Sequence, residues 1–175
     1  MRIFSLILCL FLGGCVRLPK GIEPVQDFEL DRYMGMWYEI ARLDHSFERG
    51  LSRVTAEYSL EADGTVQVVN RGFSKEKGEW KTAHGKARFV NSSQEGFLKV
   101  SFFGPFYGSY IVVELDRETY QYALVSGPDR QYLWLLARDP HLSGDVVKML
   151  IDRAKSLDFP VDQLILVEHE TGQKP

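Results

Sequence analysis

The chain has 175 residues, with 21 Lys and Arg against 24 Asp and Glu, and a formal net charge of −3 at pH 7. It carries no stripe of basic residues, which argues against a nucleic-acid partner. Its two cysteines, Cys9 and Cys15, both lie within the first fifteen residues. The rest of the chain is the size of one domain, and it must be held by its core because it has no disulfide to form.

The N-terminus has the pattern of a secretory signal. Arg2 precedes an apolar run at 3–12, which is too short to span a bilayer as a helix. Residues 12–15 read Leu-Gly-Gly-Cys and resemble the lipobox of bacterial lipoproteins, in which cleavage precedes a cysteine that carries diacylglycerol. A plain signal peptide is the alternative. We predict a signal peptide at 1–14 and lipidation at Cys15. Because Val16 rather than an aspartate follows Cys15, we expect the protein to be anchored at the periplasmic face of the outer membrane. This location assumes a Gram-negative source.

Eight amphipathic segments follow a stretch at 15–29 that contains prolines and glycine and is predicted to be a tether. Turn sequences such as Asp-Gly and Gly-Pro-Asp separate the segments. Their connections are short and join strands taken in order, which favours an antiparallel barrel over a doubly wound fold. Alternation of apolar and polar residues predicts strands at 37–43, 54–60, 66–73, 79–90, 97–103, 109–115, 120–126 and 132–138.

One helix is predicted after the strands, with Ser143 as its N-cap and Pro160 beyond its end. A short helical turn at 30–34 leads into the first strand, and a last strand at 164–168 pairs at the edge of the barrel. The helix has one apolar face, which we expect to pack on the outside of the sheet: Val147, Leu150, Ile151, Ala154 and Leu157.

Two residues at opposite ends of the strand series are expected to meet. Trp37 begins the first strand and Arg138 ends the eighth, and these positions become neighbours in an up-and-down barrel. The face of an indole ring attracts a guanidinium group. We therefore expect this pair to plug one end of a cup whose other end stays open.

The same residues carry a family resemblance. Gly35-x-Trp37 and Arg138 stand where the first and third signatures of the lipocalin family stand. The second signature, usually Thr-Asp-Tyr, is degenerate here and keeps Asp116 and the later Tyr120. The resemblance covers nearly the whole chain after the signal.

Three longer stretches, at 37–42, 99–108 and 127–130, resemble the bacterial outer-membrane lipocalins more closely. The resemblance implies an all-β domain at 30–171, an eight-stranded antiparallel up-and-down lipocalin barrel with one C-terminal α-helix and a short final strand. A few lipocalins are enzymes, and one type uses a cavity thiol; the chain after the predicted signal has no thiol beyond Cys15.

The order of the strands orients the cup. If the first strand starts at the closed end, the loops at 44–52, 74–78, 104–108 and 127–131 lie at the open end. Exposed aromatics at a rim favour a binding surface, and a small self-packed loop is the alternative. The predicted rim residues are Phe47, Phe106, Tyr107 and Arg130.

Two expectations concern what the open end meets. Arg130 or Lys75 is a candidate to contact an anionic head group. The tether would leave the closed end, and an extended chain of that length reaches roughly 50–60 Å. The domain would therefore be free to tumble and bring its rim back to the membrane.

Alternation also predicts which side chains point into the barrel. An eight-stranded barrel holds one small ligand, which would be apolar along most of its length. The alternative is that these side chains fill a packed core, as we expect near the closed end. The predicted lining is Ala41, Ala56, Tyr58, Val100, Phe102, Tyr110, Tyr132, Trp134 and Leu136.

Nothing in the sequence indicates catalysis. The four histidines are isolated, no two share metal-ligand spacing, and no nucleophile motif is present. We expect no enzyme activity, no metal and no cofactor. The predicted function is to bind, store or transport a fatty acid, a lysophospholipid or a similar hydrophobic ligand in the envelope. A structural envelope-stability protein with an incidental cavity is the alternative, and a homodimer stays open.

Overall fold

The computed structural model describes residues 16–169. Two α-helices, α1 at Leu30–Tyr33 and α2 at Gly144–Ser156, and a 3-10 turn at Val161–Gln163 accompany nine strands. The strands are β1 Gly35–Arg42, β2 Leu51–Leu60, β3 Val66–Ser74, β4 Glu79–Phe89, β5 Phe97–Phe103, β6 Phe106–Leu115, β7 Tyr122–Ser126, β8 Leu133–Ala137 and β9 Ile165–Leu166.

The first eight strands form a closed barrel. Each strand pairs antiparallel with the next, and β1 closes the circle by pairing with both β2 and β8. The predicted fold, with eight strands in order, one helix and a short last strand, is confirmed. The predicted bounds differ mainly at the open end, where β2 and β6 each begin three residues earlier than expected. No helix within residues 16–169 is long and apolar enough to cross a membrane.

The last strand completes the barrel where β1 and β2 separate. The β2–β3 pairing shifts register between Ser52 and Thr55, and Arg53 takes a positive φ of 53°. Strand β9 pairs with the end of β1, and the Arg53 backbone N–H donates to the carbonyl of Glu168 at 2.9 Å. The C-terminal segment therefore satisfies backbone groups that the bulged β2 leaves without a partner on β1.

Helix α2 packs on the outer wall of the barrel, as its apolar face predicted. Ser143 caps the helix by accepting a hydrogen bond from the Val146 N–H. Two side chains of the helix, Leu150 and Ala154, are buried against the barrel. The buried apolar residues form two clusters, one between the helix and the outside of the barrel and one inside the barrel. The inner cluster belongs to the site.

The segment predicted as a tether differs from the expectation. The Phe28 N–H donates to the Gln94 carbonyl at 2.9 Å, and the Val25 N–H donates to the Val112 carbonyl at 2.8 Å. Ile22 is buried in the outer cluster. Residues 16–28, which we call the N-terminal strap, lie along the barrel wall instead of hanging from the closed end. This packing depends on backbone partners about 70–90 residues away, which local composition does not reveal.

Candidate ligand cavity

The closed end is sealed by Trp37 and Arg138. The Arg138 guanidinium carbon lies 4.0 Å from the centroid of the Trp37 ring. The same guanidinium donates to three backbone carbonyls at 2.7–2.9 Å, those of Arg32, Met34 and Met36. It therefore stacks on the indole and also ties α1 to the start of β1.

Gly35 makes this approach possible. Its φ is +91°, a conformation that side chains other than glycine rarely adopt, and an added Cβ would lie 3.5 Å from the Arg138 Nη1 atom. Two residues on, the Trp37 indole N–H donates to the Tyr33 carbonyl at 2.8 Å. A glycine two residues before the tryptophan thus lets Arg138 come close to the backbone of this segment while it stacks on the indole.

The residues of the degenerate second signature reinforce the same end. Backbone N–H groups of Glu118 and Gln121 donate to the Asp116 carboxylate, both at 3.2 Å. Burial alone would raise the pKa of Asp116, but these hydrogen bonds and one from the Thr119 hydroxyl hold it below its ordinary value. Tyr120 accepts a hydrogen bond from the Glu29 N–H at 3.1 Å. These residues fix a turn and its contact with the segment before α1.

Above this base lies a cavity with about 840 Å³ of empty space, part of which is open solvent at the mouth. Most of its wall is apolar. Seven of the nine side chains predicted to line it do so: Ala56, Tyr58, Val100, Phe102, Tyr110, Trp134 and Leu136. Sequence reasoning missed several further apolar wall residues, including Phe28, Leu30, Met34, Val66, Val68, Ala87 and Leu98.

Ala41 is a correction. Counting by twos from Trp37 placed it inside the barrel, but the β1–β8 pairing shifts register between Glu39 and Ala41. The bulge reverses the alternation, so Ala41 lies in the outer cluster while Arg42 points inward to Glu39. Sequence periodicity carries no signal of this bulge.

Tyr132 is the second correction. It precedes β8 and is not part of the cavity wall; its ring stacks 5.9 Å from His45 and 6.4 Å from Phe47. Its ring stacks on that of Trp134 with 6.2 Å between centroids, so the alternation of β8 extends to it, but it lies in the loop before the strand and therefore above the cavity wall. Tyr132 packs at the mouth.

Three tyrosines form a hydrogen-bonded chain low in the cavity. The Tyr110 hydroxyl lies 2.7 Å from that of Tyr33 and 2.9 Å from that of Tyr58. Burial is the main cause that raises the pKa of all three phenols above its ordinary value. The lower cavity is therefore uncharged, and its hydroxyls have partners in one another.

A buried charged cluster lies between the cavity and the open end. Arg42 donates to Glu39 at 2.7 Å and to the backbone carbonyl of Glu48 at 2.9 Å. The Glu48 carboxylate accepts from the Trp134 indole at 3.1 Å and lies 3.0 Å from His45 Nε2, without good hydrogen-bond alignment. Both carboxylates contribute to the cavity wall. Strand alternation does not predict the cluster, because the bulge in β1 brings Arg42 inside.

The two carboxyl groups of this cluster differ in charge preference. Burial, and then the charge of Glu48, raise the pKa of Glu39 well above its ordinary value despite Arg42. For Glu48 burial acts in the same direction, but His45, Trp134 and Arg42 outweigh it and hold its pKa below the ordinary value. Glu48 is thus the anionic member and Glu39 the one that favours a proton.

The predicted rim aromatics lie at the open end. Phe47 is 58% exposed, stacks on His45 at 3.9 Å between ring centroids, and also borders the cavity. Phe106 is 55% exposed, while Tyr107 is half-buried with the Lys99 ammonium 5.3 Å from its ring. Phe47 thus packs in part on its own loop, as the alternative interpretation predicted, whereas Phe106 projects into solvent.

The two basic residues proposed for an anionic head group have other partners. Arg130 donates to the carbonyls of Leu157 and Lys20, both at 2.8 Å. It therefore fixes the end of α2 and the N-terminal strap to the β7–β8 loop. Lys75 pairs with Glu168 in the C-terminal segment. Neither is therefore a free cation at the mouth. Their partners are distant in the chain, and the local sequence does not indicate them.

The family assignment follows from comparison of the sequence. A sequence model of the family described as "Lipocalin-like domain" matches residues 28–169. The chain belongs to the lipocalin family. Among the described residues of this lipocalin, no group of three or more His, Cys, Asp or Glu side chains is placed to hold a metal ion.

Its relatives include bacterial lipoproteins. It is 58% identical to the outer membrane lipoprotein Blc of Vibrio cholerae over 97% of this chain and 100% of that protein. It is 50% identical to the protein of the same name from Escherichia coli, over 86% of this chain and 84% of that one. These relatives confirm the outer-membrane location predicted for this lipocalin. Cys15 and the predicted signal peptide lie outside the described residues.

Solved structures support the fold of the lipocalin. Insecticyanin from the tobacco hornworm superposes with a TM-score of 0.70 at 20% sequence identity, covering 91% of this chain and 88% of that one. The cockroach allergen Per a 4 superposes with a TM-score of 0.67 at 19% identity, over 90% and 96% of the two chains. At these identities the likeness concerns the barrel and not its ligand.

Proposed function

We propose that this lipocalin binds a single-chain amphiphile, a fatty acid or a lysophospholipid, at the periplasmic face of the outer membrane, and stores or carries it there. The observation behind the proposal is a cavity with mostly apolar walls, sealed at one end and open at the other. Such a cavity matches a molecule that is apolar along most of its length and polar at one end.

The acyl chain would lie against the apolar wall, with its tail towards the tyrosines. Burial of each CH₂ group contributes roughly 0.8 kcal/mol. The polar head would stay near the mouth, where the half-buried Asn70 borders the cavity. Because Arg130 and Lys75 are engaged elsewhere, an anionic head would rely on water rather than on these two cations.

The proposal includes binding and no chemical step. The tyrosine hydroxyl groups within the cavity pair with one another, the Ser109 hydroxyl pairs with the Arg17 backbone, and the buried carboxylates contact Arg42, His45 and Trp134. Within residues 16–169 none of these contacts forms a nucleophile with an adjacent general base. We therefore infer a binding protein with no catalytic residue and no cofactor.

A matched pair of substitutions tests the cavity. Val68 lines it and is 3% exposed, whereas Val69, next in the chain, is half-buried and does not border the cavity. We expect Val68→Trp to fill the cavity and abolish binding of a fluorescent fatty acid, while Val69→Trp leaves binding unchanged. Circular dichroism melts of both variants check that the barrel is folded.

Lipid extraction of the purified protein followed by mass spectrometry supplies the second measurement. We expect a fatty acid or lysophospholipid in the wild type and its loss from Val68→Trp. An empty wild-type cavity, together with no micromolar fatty-acid binding, would overturn the proposal and favour the structural envelope-stability role. Equal binding by the two variants would place the ligand elsewhere on the protein.

A further inference from the structure

The lower cavity contains three tyrosine hydroxyls that come from different elements. Tyr33 ends α1, Tyr58 lies in β2 and Tyr110 lies in β6. All three side chains border the cavity, and the hydroxyl of Tyr110 bonds to both of the others. We call these three residues the tyrosine chain. A plain hydrocarbon tail makes no hydrogen bonds, so binding of such a tail makes no use of these hydroxyls.

The hydroxyl protons of the tyrosine chain outnumber its hydrogen bonds. The three phenol groups carry one proton each, and two hydrogen bonds join them, at 2.7 Å between Tyr33 and Tyr110 and at 2.9 Å between Tyr58 and Tyr110. Within residues 16–169 these hydroxyls have no further hydrogen-bond partner. Each hydrogen bond uses one proton. Whichever way the protons point, one of them is therefore left without an acceptor.

This unpaired proton lies in a buried and uncharged place. Tyr33 is 2% exposed and Tyr58 is 7% exposed. Burial is the largest cause that raises the pKa of each phenol of the tyrosine chain above its ordinary value of 10.0, so all three keep their protons. A buried donor without an acceptor costs free energy, because it has lost its hydrogen bond to water and gained no other. The lower cavity therefore favours a ligand atom that accepts this proton.

The spacing of the tyrosine chain leaves a place for one more oxygen. The outer hydroxyl oxygens, those of Tyr33 and Tyr58, are at most 5.6 Å apart, the sum of the 2.7 and 2.9 Å distances to Tyr110. Because hydroxyl groups bond at about 2.8 Å, a single oxygen can contact both of them. A ligand hydroxyl at this place would close a ring of four hydroxyl groups, in which every proton has an acceptor.

The surroundings favour a neutral oxygen over a carboxylate. Arg138 stacks on Trp37, whose ring centroid lies 4.7 Å from that of Tyr33. Burial has the larger effect on Tyr33 and Tyr58, but the charge of Arg138 acts to lower the pKa of both, and it also attracts an electronegative atom. The guanidinium is engaged with three backbone carbonyls. A carboxylate would find one spare proton for several lone pairs, so its burial there is unfavourable.

We propose that the tyrosine chain is a binding subsite for a hydroxyl group at the buried end of the ligand, so that the cavity prefers an acyl chain hydroxylated at its tail. The inference rests on the proposed function and narrows the class of ligand. The chain enters tail first, its apolar middle lies against the wall, and the tail hydroxyl joins the hydroxyls of Tyr33 and Tyr58. The head group stays near the mouth.

Three fatty acids of equal chain length test the subsite: palmitic acid, ω-hydroxypalmitic acid with a hydroxyl at the tail, and α-hydroxypalmitic acid with a hydroxyl beside the carboxyl group. Each competes with a fluorescent fatty acid for the purified protein, which gives its Kd. In a wholly apolar cavity a tail hydroxyl weakens binding, because it loses its water without replacement. We expect the ω-hydroxy acid instead to bind about tenfold more tightly than palmitic acid, and the α-hydroxy acid to bind like palmitic acid.

Conservative variants connect this preference to the tyrosine chain. Tyr58→Phe keeps the ring and removes one outer hydroxyl, so the preference for the ω-hydroxy acid should fall to about threefold or less, with little change for palmitic acid. Tyr33→Phe removes the other outer hydroxyl and should give the same result, which keeps the test open if one variant fails to fold. Tyr122→Phe is the matched control, because Tyr122 packs against the outer cluster and does not border the cavity. Circular dichroism melts check the folding of each variant.

The three acids also separate this inference from the proposed function. Equal Kd values for all three, or weaker binding of the ω-hydroxy acid, mean that the subsite does not exist and the carrier function stands. A preference for the α-hydroxy acid, or one for the ω-hydroxy acid that both Tyr→Phe variants retain, places the hydroxyl elsewhere and overturns the inference alone. Binding of none of the three acids overturns the inference together with the fatty-acid part of the proposed function.

Discussion

The two ends of the barrel use polar contacts in opposite ways. At the closed end, Arg138 satisfies three carbonyl oxygens and stacks on Trp37, and Asp116 accepts from two backbone N–H groups of its turn. At the open end, Arg42, Glu39 and Glu48 are buried together beneath a loop whose Phe47 is mostly exposed. The closed end thus holds the strands together, while the open end keeps charged and apolar groups next to an entrance.

The largest expected effect lies at the closed end. Trp37→Ala should lower the free energy of unfolding by about 3–5 kcal/mol, because it removes a fully buried aromatic side chain. Arg138→Ala should cost less, and the double variant should cost less than the sum because the partners are in contact. Urea denaturation of the four proteins measures this coupling. Strict additivity would show that the stack contributes nothing of its own.

At the open end, the two buried carboxyl groups should give stability opposite pH dependences. The pKa of Glu39 is raised in the folded state. Above pH 4.5, the ordinary pKa of a glutamate, the unfolded state therefore loses a proton that the folded state keeps. Stability from this group therefore falls as pH rises from that value through the folded pKa. Glu39→Gln, which keeps an acceptor for Arg42, should become more stable relative to wild type as pH rises.

Glu48→Gln is the matched control for that experiment. The pKa of Glu48 is lowered in the folded state, so its stabilising effect is present above the usual value of 4.5 and is lost as pH falls through the folded pKa. The variant should lose stability relative to wild type at neutral pH and lose less in acid. Urea melts from about pH 2.5 to 8 extend below 4.5 for Glu48 and above it for Glu39. Parallel profiles for the two variants would contradict the assignment of Glu48 as the anionic member.

The smallest effect on stability is expected at the rim. The double variant Phe103→Ser and Phe106→Ser should unfold like the wild type, because both side chains are exposed. It should nevertheless take up fatty acid from vesicles more slowly, with unchanged affinity for monomeric fatty acid. Stopped-flow uptake and equilibrium titration measure the two quantities.

Leu60→Ser, at the closed end and 46% exposed, is the control and should change neither the rate nor the affinity. Equal uptake by the rim variant and this control would exclude a membrane contact through Phe103 and Phe106. If the affinity of the rim variant falls together with its uptake rate, these two side chains belong instead to the cavity wall.

Much of the site could be predicted from the sequence because it depends on regular strands. Alternation along β2, β5 and β8 placed Tyr58, Val100 and Trp134 in the barrel, and the structure brings them to one cavity. The prediction was wrong for Ala41 because a register shift interrupts β1. It missed the partners of Arg130, since a carbonyl in the strap and another at the end of α2 become its neighbours only on folding.

The sequence by itself determined the eight strands, their order, the helix and the meeting of Trp37 with Arg138. These features follow from side-chain periodicity, turn residues and strand order, which are properties of neighbouring residues and of their succession. The tertiary structure alone decided the bulge in β1, the buried cluster around Arg42 and the course of residues 16–28. Each of these depends on which distant backbone N–H and carbonyl groups find partners, and that choice is made only when the barrel closes.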